Sequence, residues 1–448
     1  GAAFVAAVLA LRYLLLPNID DYREPIARAV SQAAGQKVEI GAITGSWRGY
    51  RPELRFRDVR VYDREGAQAL TLARVETVIA WLSLLSAEVR FHSLEIHEPA
   101  LQVRRDAGGV IWVAGIATGR SRGDGGFTDW LLAQRQVVVR RAGIVWLDEL
   151  RGAPALKLAN VDFRLDSDGD IHRFGFNAMP PAELASLLIV RGELRGRSLR
   201  DLQAWRGRLY AEFGYANLAL AQRWIALPIE IGSGTGSLRV WADLGGARGD
   251  AITADLRMAN VRTRLAPELP ELALAGVQGR LGWKRSGADL EISAQGLSLT
   301  TAGGLLLAPM RFSYVRNGPE AARQSRLHIE RLALTPVADL AEFLPLDAAL
   351  RERLARISPA GMIDLADLAW QGGWDADRPY SVRARFSGLA LRADGNLPGF
   401  HGLSGTVDAN REGGTLSLSA HDAGVDLPRV FAEPIPLDFF NAETEWTR

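Results

Sequence analysis

The feature that most limits what this chain can fold into is a two-residue alternation of apolar and polar side chains that persists through most of its length. Val38–Gly66, VEIGAITGSWRGYRPELRFRDVRVYDREG, is the clearest instance. There Val38, Ile40, Leu54, Phe56, Val59 and Val61 recur at strand spacing, many with charged residues between them. Successive strand side chains point to opposite faces, so each such strand offers one apolar face that must rest on something. The pattern returns at Leu70 and Leu72, at Val89, Phe91, Leu94 and Ile96, and at Leu101 and Val103. It continues at Phe163, Leu238, Val240, Leu290, Ile292, Leu416 and Leu418. Stretches of helical period are few.

Composition narrows the class. Hydrophobic residues make up 48% and charged residues 23% of 448, as in an ordered protein. A formal net charge of +1 gives no general reason to expect nucleic acid as a partner. Lys37, Lys157 and Lys284 are the only lysines; the remaining basic residues are Arg. The chain has no cysteine, which excludes disulfides and thiolate chemistry and suits an oxidising compartment.

The amino end is apolar from Gly1 to Leu16 except for Arg12 and Tyr13, and Pro17 ends the run. It is shorter than the ~20 residues of a spanning helix. We read it as a truncated transmembrane anchor rather than a cleaved signal, because no small-x-small site follows. Arg12 and Tyr13 would then be interface residues. A short amphipathic helix should follow, capped by Asn18 or Asp20, with Ile19, Tyr22, Ile26 and Val30 on one stripe and Gly35 at its end. Turn chemistry at Asp63–Gly66, Glu98–Pro99 and Asp106–Gly109 separates the next strands, and Trp81–Ser86 suits a single helical turn. Thr118–Gly126 reads as a flexible boundary loop, and Phe127–Gln134 as a helix.

The second half repeats. Leu269–Pro270, GVQGRL and DLEISA have counterparts in Leu397–Pro398, GLSGTV and TLSLSA, and LALAQRW matches LALTPVADL more loosely. These marks divide the chain into the anchor (1–17), a membrane-proximal helix with the first sheet (18–117), a second β segment (127–217) and two β repeats (218–331 and 332–448, the latter truncated). Repeats that touch only their neighbours make elongated proteins.

Motifs for chemistry are absent or incomplete. His92 and His97 sit five apart on a strand, facing opposite ways, and the other four histidines have no partner motif. Asp166, Asp168 and Asp170 resemble the start of a calcium loop, but Ile171 stands where Gly is wanted and Asn177 where the bidentate Glu would be. GSGTGS at Gly232–Ser237 has no following Lys, so it does not read as a phosphate loop. No nucleophile is paired with a base. We therefore expect no catalytic residues, no metal site and no cofactor.

What remains is a bent sheet with too little helix to roof it. A second sheet or ordinary core would be the plain cover. Acyl chains are the other, each buried methylene gaining ~0.8 kcal/mol. For any one of the residues above, protein core and lipid contact are equally good readings.

The run from RYLLLPNIDDYREPIARAV to GGVIWVAG resembles the amino-terminal region of the YhdP branch of the AsmA-like family of Gram-negative bacteria. The resemblance rests on Pro17, Tyr22-Arg23, Val38–Gly41, Gly45-x-Trp47, Pro52-x-Leu54, Leu82–Leu85, Glu98-Pro99-x-Leu101 and the turn before Trp112. Leu199–Phe213 and the repeats fit the family's central region. The resemblance implies an inner-membrane protein with its bulk in the periplasm, related to bridge-like lipid transfer proteins. The expected fold is mainly β: an elongated, twisted antiparallel sheet forming a hydrophobic groove, with a few short helices and an N-terminal transmembrane helix. The groove lining would be the residues of the alternation above, and the partners phospholipids, the inner membrane and, through a missing C-terminal part, the outer membrane. About 25–30 strands at ~4.8 Å each would extend roughly 120–145 Å. The alternatives are an assembly or chaperone factor for outer-membrane β-proteins, which needs free sheet edges, and a structural tether with a self-filled core.

Overall fold

The computed structural model describes residues 9–49, 51–62, 66, 68–79, 91–118, 125–198, 204–225, 229–246, 249–319, 323–372 and 378–447. Outside the described residues lie Val89, residues 1–8 of the expected anchor, Trp81–Ser86, 63–65 of the first turn and 119–124 of the boundary loop. The fold is mainly β. Two compact units divide it: Gly1–Ala216 with Arg223–Ala226 and Asp243–Gly246, and Asn217–Gln222 with Leu227–Ala242 and Ala247–Arg448.

The first unit holds β1 (Val38–Glu39), β2 (Ala42–Arg48), β3 (Arg51–Tyr62), β4 (Gln68–Ile79), β5 (Phe91–His97), β6 (Ala100–Arg105), β7 (Ile111–Val113) and β8 (Ile116–Thr118). After a helix at Gly125–Leu132 come β9 (Gln136–Asp148), β10 (Ala153–Asp168), β11 (Ile171–Met179), β12 (Leu188–Arg195) and β13 (Arg206–Asn217). Neighbours pair antiparallel from β2 to β5 and from β9 to β13. The expected antiparallel sheet is in fact mixed. β5 and β6, joined end to end at Glu98, both pair parallel with β9. A parallel return needs a long crossover, and the segment carrying the Gly125–Leu132 helix supplies it.

In the second unit β14 (Glu230–Gly246) supplies Glu230–Ala242. The antiparallel ladder runs from β15 (Gly249–Arg264) through β16 (Leu272–Ser286), β17 (Asp289–Thr301), β18 (Leu306–Asn317), β19 (Gln324–Ala333), β20 (Ala360–Gln371), β21 (Tyr380–Leu391), β22 (Gly399–Asn410) and β23 (Gly413–Asp426) to β24 (Ile435–Thr447). Short helices at Leu218–Ala221, Leu334–Leu340 and Ala348–Ile357 interrupt the strands.

Single residues with left-handed backbone recur inside the strands: Asp58, Arg141, Asn160, Asn260 and Asp422, with φ of 48–54°. In each case the apolar residues two before and one after share one core: Phe56 with Val59, Val139 with Ala142, Leu158 with Val161, Met258 with Val261, Ala420 with Ala423. A left-handed residue interrupts the pleat; it bends the strand and shifts the alternation by one. The apolar face therefore stays on one side while the strand turns, which produces a bent sheet.

The amino-terminal segment departs from a simple helix. Leu9 and Ala10 are α-helical, Leu11–Leu15 is wound as a π-helix, Leu16–Tyr22 as a 3₁₀-helix with a kink at Asn18, and Arg23–Ala34 is again α-helical. Among the described residues no helix is long and apolar enough to cross a membrane. Gly35 ends the α-helix with φ 68°, as its position suggested. Neither proposed cap acts as one: Asn18 Nδ2 donates to the Leu14 carbonyl, and Asp20 Oδ1 accepts from the Ile43 amide at 2.8 Å. Asp20 thus ties the segment to β2.

Candidate functional site

The sheet presents its apolar face in two states, covered and open. In the first unit the Arg23–Ala34 helix lies over β1 and the strands beside it. Ile26, Ala27 and Val30 pack onto the core of Val38, Ile40, Ile43, Leu54, Phe56, Val59, Val61, Leu72, Val75, Phe91 and Leu94. Ser31 latches the helix: its hydroxyl donates to the Ala27 carbonyl at 2.6 Å and accepts from the Val38 amide at 2.9 Å. Arg23 donates to the Gly41 carbonyl at 2.8 Å. Tyr22 is exposed although it belonged to the expected stripe. Tyr22 ends the 3₁₀ segment, which turns every 3.0 residues, so the stripe loses phase with the α-helix at the junction.

Helix and strands do not close completely. Between them lies an apolar cavity of about 110 Å³. Val38, Ile40, Phe56, Val59, Val61, Leu70, Leu72, Phe91, Leu94 and Ile96 line it from the sheet, and Val30, Ala34, Trp130 and Leu131 from the helices. Ten residues expected to line a groove thus converge on one space, and Leu54 belongs to the same core. The expectation that helix is too scarce to roof this face fails here, because two short helices do so. The Gly125–Leu132 helix contributes Trp130, edge-on to Phe91 at 6.1 Å between ring centroids. A cavity of roughly 150 Å³ lined by such side chains is dry and takes up benzene. This one is smaller and partly open to the surface. The remaining expected residues of this unit are half-buried: Leu101 opposite Ile144, Val103 opposite Trp146, and Phe163 against Phe174 at 6.5 Å.

In the second unit the Leu334–Leu340 helix and its extension cover one margin, where Leu340 and Phe343 pack on Met258, Val261, Leu272 and Leu274. The rungs beyond stay open. Cross-strand register aligns Ile252, Trp283, Ile292, Tyr314, Leu327, Leu368, Val382 and Ala409 in one row from β15 to β22. The next rung aligns Ala254, Leu281, Ala294, Phe312, Ile329, Ala366, Ala384, Val407 and Leu416. Ile252, Trp283 and Ile292 are 42%, 37% and 37% exposed, high for three large apolar neighbours. Leu290, Ile292, Leu416 and Leu418 lie on this face by register. Trp241 stacks under Arg280 of the opposite face, which places Val240 and Leu238, of the other parity, on the apolar one. Trp283, Tyr314, Leu327 and Leu368 were missed by sequence reasoning. Their signal was alternation at unremarkable hydrophobicity, which shows its meaning only once register joins the strands.

The opposite face is polar and internally paired. Arg280 grips Asp255 with bonds of 2.5 and 2.7 Å, and Arg383 pairs with Asp408. His328 sits between Asp367 at 2.7 Å and Glu330 at 3.2 Å, bonds that raise its pKa above the ordinary imidazole value. In the first unit Glu76 is nearly buried; burial opposes its ionisation, but Arg74, His97 and Arg55 outweigh it and hold its pKa low. Glu76, Glu95 and His97 offer ligand atoms within 4.8 Å of one another, the spacing of a metal site. Arg48, Arg55 and Arg74 already engage Glu76, and Arg140 engages Glu95, so we read ion pairing there.

The arrangement can bind elongated apolar molecules on one face and remain solvated on the other. Comparison with known proteins gives this a context. The family model described as YhdP protein matches residues 1–448. The chain belongs to the YhdP family. It is 26% identical over 490 aligned residues to a protein of Escherichia coli K12 named intermembrane phospholipid transporter YhdP. The alignment covers 100% of this chain and 35% of that YhdP protein, so the chain spans about a third of its relative's length. No solved structure matches.

Proposed function

We propose that this chain is part of a conduit that carries phospholipid acyl chains along the apolar face of its sheet, in an inner-membrane-anchored protein of the periplasm that moves phospholipid between inner and outer membranes. The observation that carries the reading is the open row from Ile252 to Ala409, which crosses eight strands without a charged residue. Such a row offers an acyl chain nearly equal burial at each successive rung, and equal burial favours sliding over trapping. The family and the relative's name as a phospholipid transporter support the same cargo. The role is binding and passage, not catalysis.

In this reading the Arg23–Ala34 helix is a gate at the membrane end. Tyr13 and Leu14 are well exposed just before it, a surface suited to the membrane boundary, and the small cavity beneath marks where a displaced helix would admit an acyl chain.

The test uses the two faces of one strand. Benzoylphenylalanine placed at Ile292 in the full-length protein, irradiated in cells, should give phospholipid adducts. The same group at Ser293, whose side chain has the other parity, should give few. Equal labelling at both positions, or none at Ile292, would remove the conduit from this face.

A further inference from the structure

At one margin of the open face the alternation of the second unit is broken by cations. The rung beyond Ile252–Trp283–Ile292–Tyr314 reads Asp250, Arg285, Leu290, Arg316, Ser325. Arg285 follows Trp283 by two residues on β16, and Arg316 follows Tyr314 by two on β18, so both stand on the apolar face. Two strand spacings separate them, about 10 Å between backbones. Among the described residues neither forms an ion pair; the hydrogen bond found for Arg285 is a long one, 3.5 Å, from Nε to the Gly287 carbonyl. Asp250 is the cross-strand neighbour of Arg285. On the polar face, by contrast, Arg280, Arg311 and Arg383 each hold a carboxylate.

We propose that Arg285 and Arg316 form a phosphate-holding rim for phospholipids whose acyl chains lie on Trp283, Ile292 and Tyr314. This deepens the conduit reading and rests on it. The occupant follows from charge and shape together. Two uncommitted guanidiniums beside an exposed apolar row complement a molecule with a long apolar tail and one anionic phosphodiester. Arg presents a planar fork of donors that matches phosphate oxygens and is more weakly hydrated than an ammonium. An uncharged lipid would satisfy the row and leave the rim empty. Asp250 beside Arg285 keeps local charge modest, which suits a single phosphodiester better than a polyanion. The rim thereby selects phosphate-bearing lipids over neutral ones with the same acyl chains.

The experiment reads this site alone. The full-length protein with benzoylphenylalanine at Ile292 is incubated with dihexanoyl phosphatidylglycerol or dihexanoylglycerol at equal concentration, irradiated, and its adducts weighed. We expect the phospholipid adduct to exceed the diacylglycerol adduct about tenfold. Arg285→Gln with Arg316→Gln should bring that ratio close to one while leaving the diacylglycerol adduct unchanged. Arg285→Lys with Arg316→Lys should keep part of the preference, which guards against a general loss of fold. A ratio near one in the unsubstituted rim, or a preference that survives the Gln pair, overturns the rim but leaves the conduit standing. Absence of adduct with either lipid overturns both.

Discussion

At the scale of single residues, the bend of the sheet depends on positions where an L-residue holds a conformation it rarely adopts. Asn260, with φ 53°, separates Met258 from Val261, and both reach the core under the Leu334–Leu340 helix only because the alternation slips there by one. Left-handed backbone costs an ordinary residue roughly 1–2 kcal/mol, while Asn and Gly tolerate it. Asn260→Val should therefore destabilise the chain by about 1–2 kcal/mol, and Asn260→Gly by only a few tenths, in denaturant unfolding followed by fluorescence. Equal effects would mean that Asn260 matters through its side chain and not its backbone. The slip was present in the sequence as apolar residues three apart within strands otherwise spaced by two, as in Phe56 and Val59. Both line the cavity under the helices, but period-two reasoning offers no cause for their agreement. The cause is the left-handed backbone at Asp58.

At the scale of elements, strands were legible because alternation is local, and covers were not because a cover is tertiary. The stripe of the Arg23–Ala34 helix could be read from Ile26 and Val30, yet nothing local says that Trp130, far along the chain, completes the roof. This changes what a substitution can show. Phe56→Asp plus Phe91→Asp, attractive when the residues are drawn as an open groove, would place two carboxylates among buried side chains beneath the helices. Their desolvation would weaken the fold itself. The roof is better probed at its latch. Ser31→Ala removes the hydroxyl that joins the helix to the Val38 amide, and a hydrogen bond of this kind contributes about 1 kcal/mol net. Amides of residues 23–34 should then exchange about fivefold faster, with β3 and β4 unchanged. Uniform acceleration across helix and strands would show that they open as one unit and that the helix is no separate gate.

At the scale of the whole molecule, a conduit differs from a store in that its binding places act in series. If acyl chains pass along the row of the second unit, one bad rung limits the flux while rungs on either side keep their lipid. Leu327 and Leu368 are cross-strand partners at the middle of the row and are only half-buried, so carboxylates there remain within reach of water and the ladder can form around them. For a passing acyl chain the same carboxylates replace two apolar contacts with two groups that must be desolvated, at about 1–3 kcal/mol each. A barrier raised by about 1.4 kcal/mol slows a step tenfold. Full-length protein carrying Leu327→Glu and Leu368→Glu should therefore lose at least about tenfold in phospholipid movement between the two membranes. Lipid bound per chain, counted by native mass spectrometry, should fall by only a small fraction. A tether predicts no change in either quantity, and a store predicts that both fall in proportion. A strand-pairing chaperone would lose neither, since its edges are untouched, and would be recognised by impaired assembly of outer-membrane β-proteins when an edge strand is altered instead. Only passage along a continuous row separates flux from occupancy at a single rung.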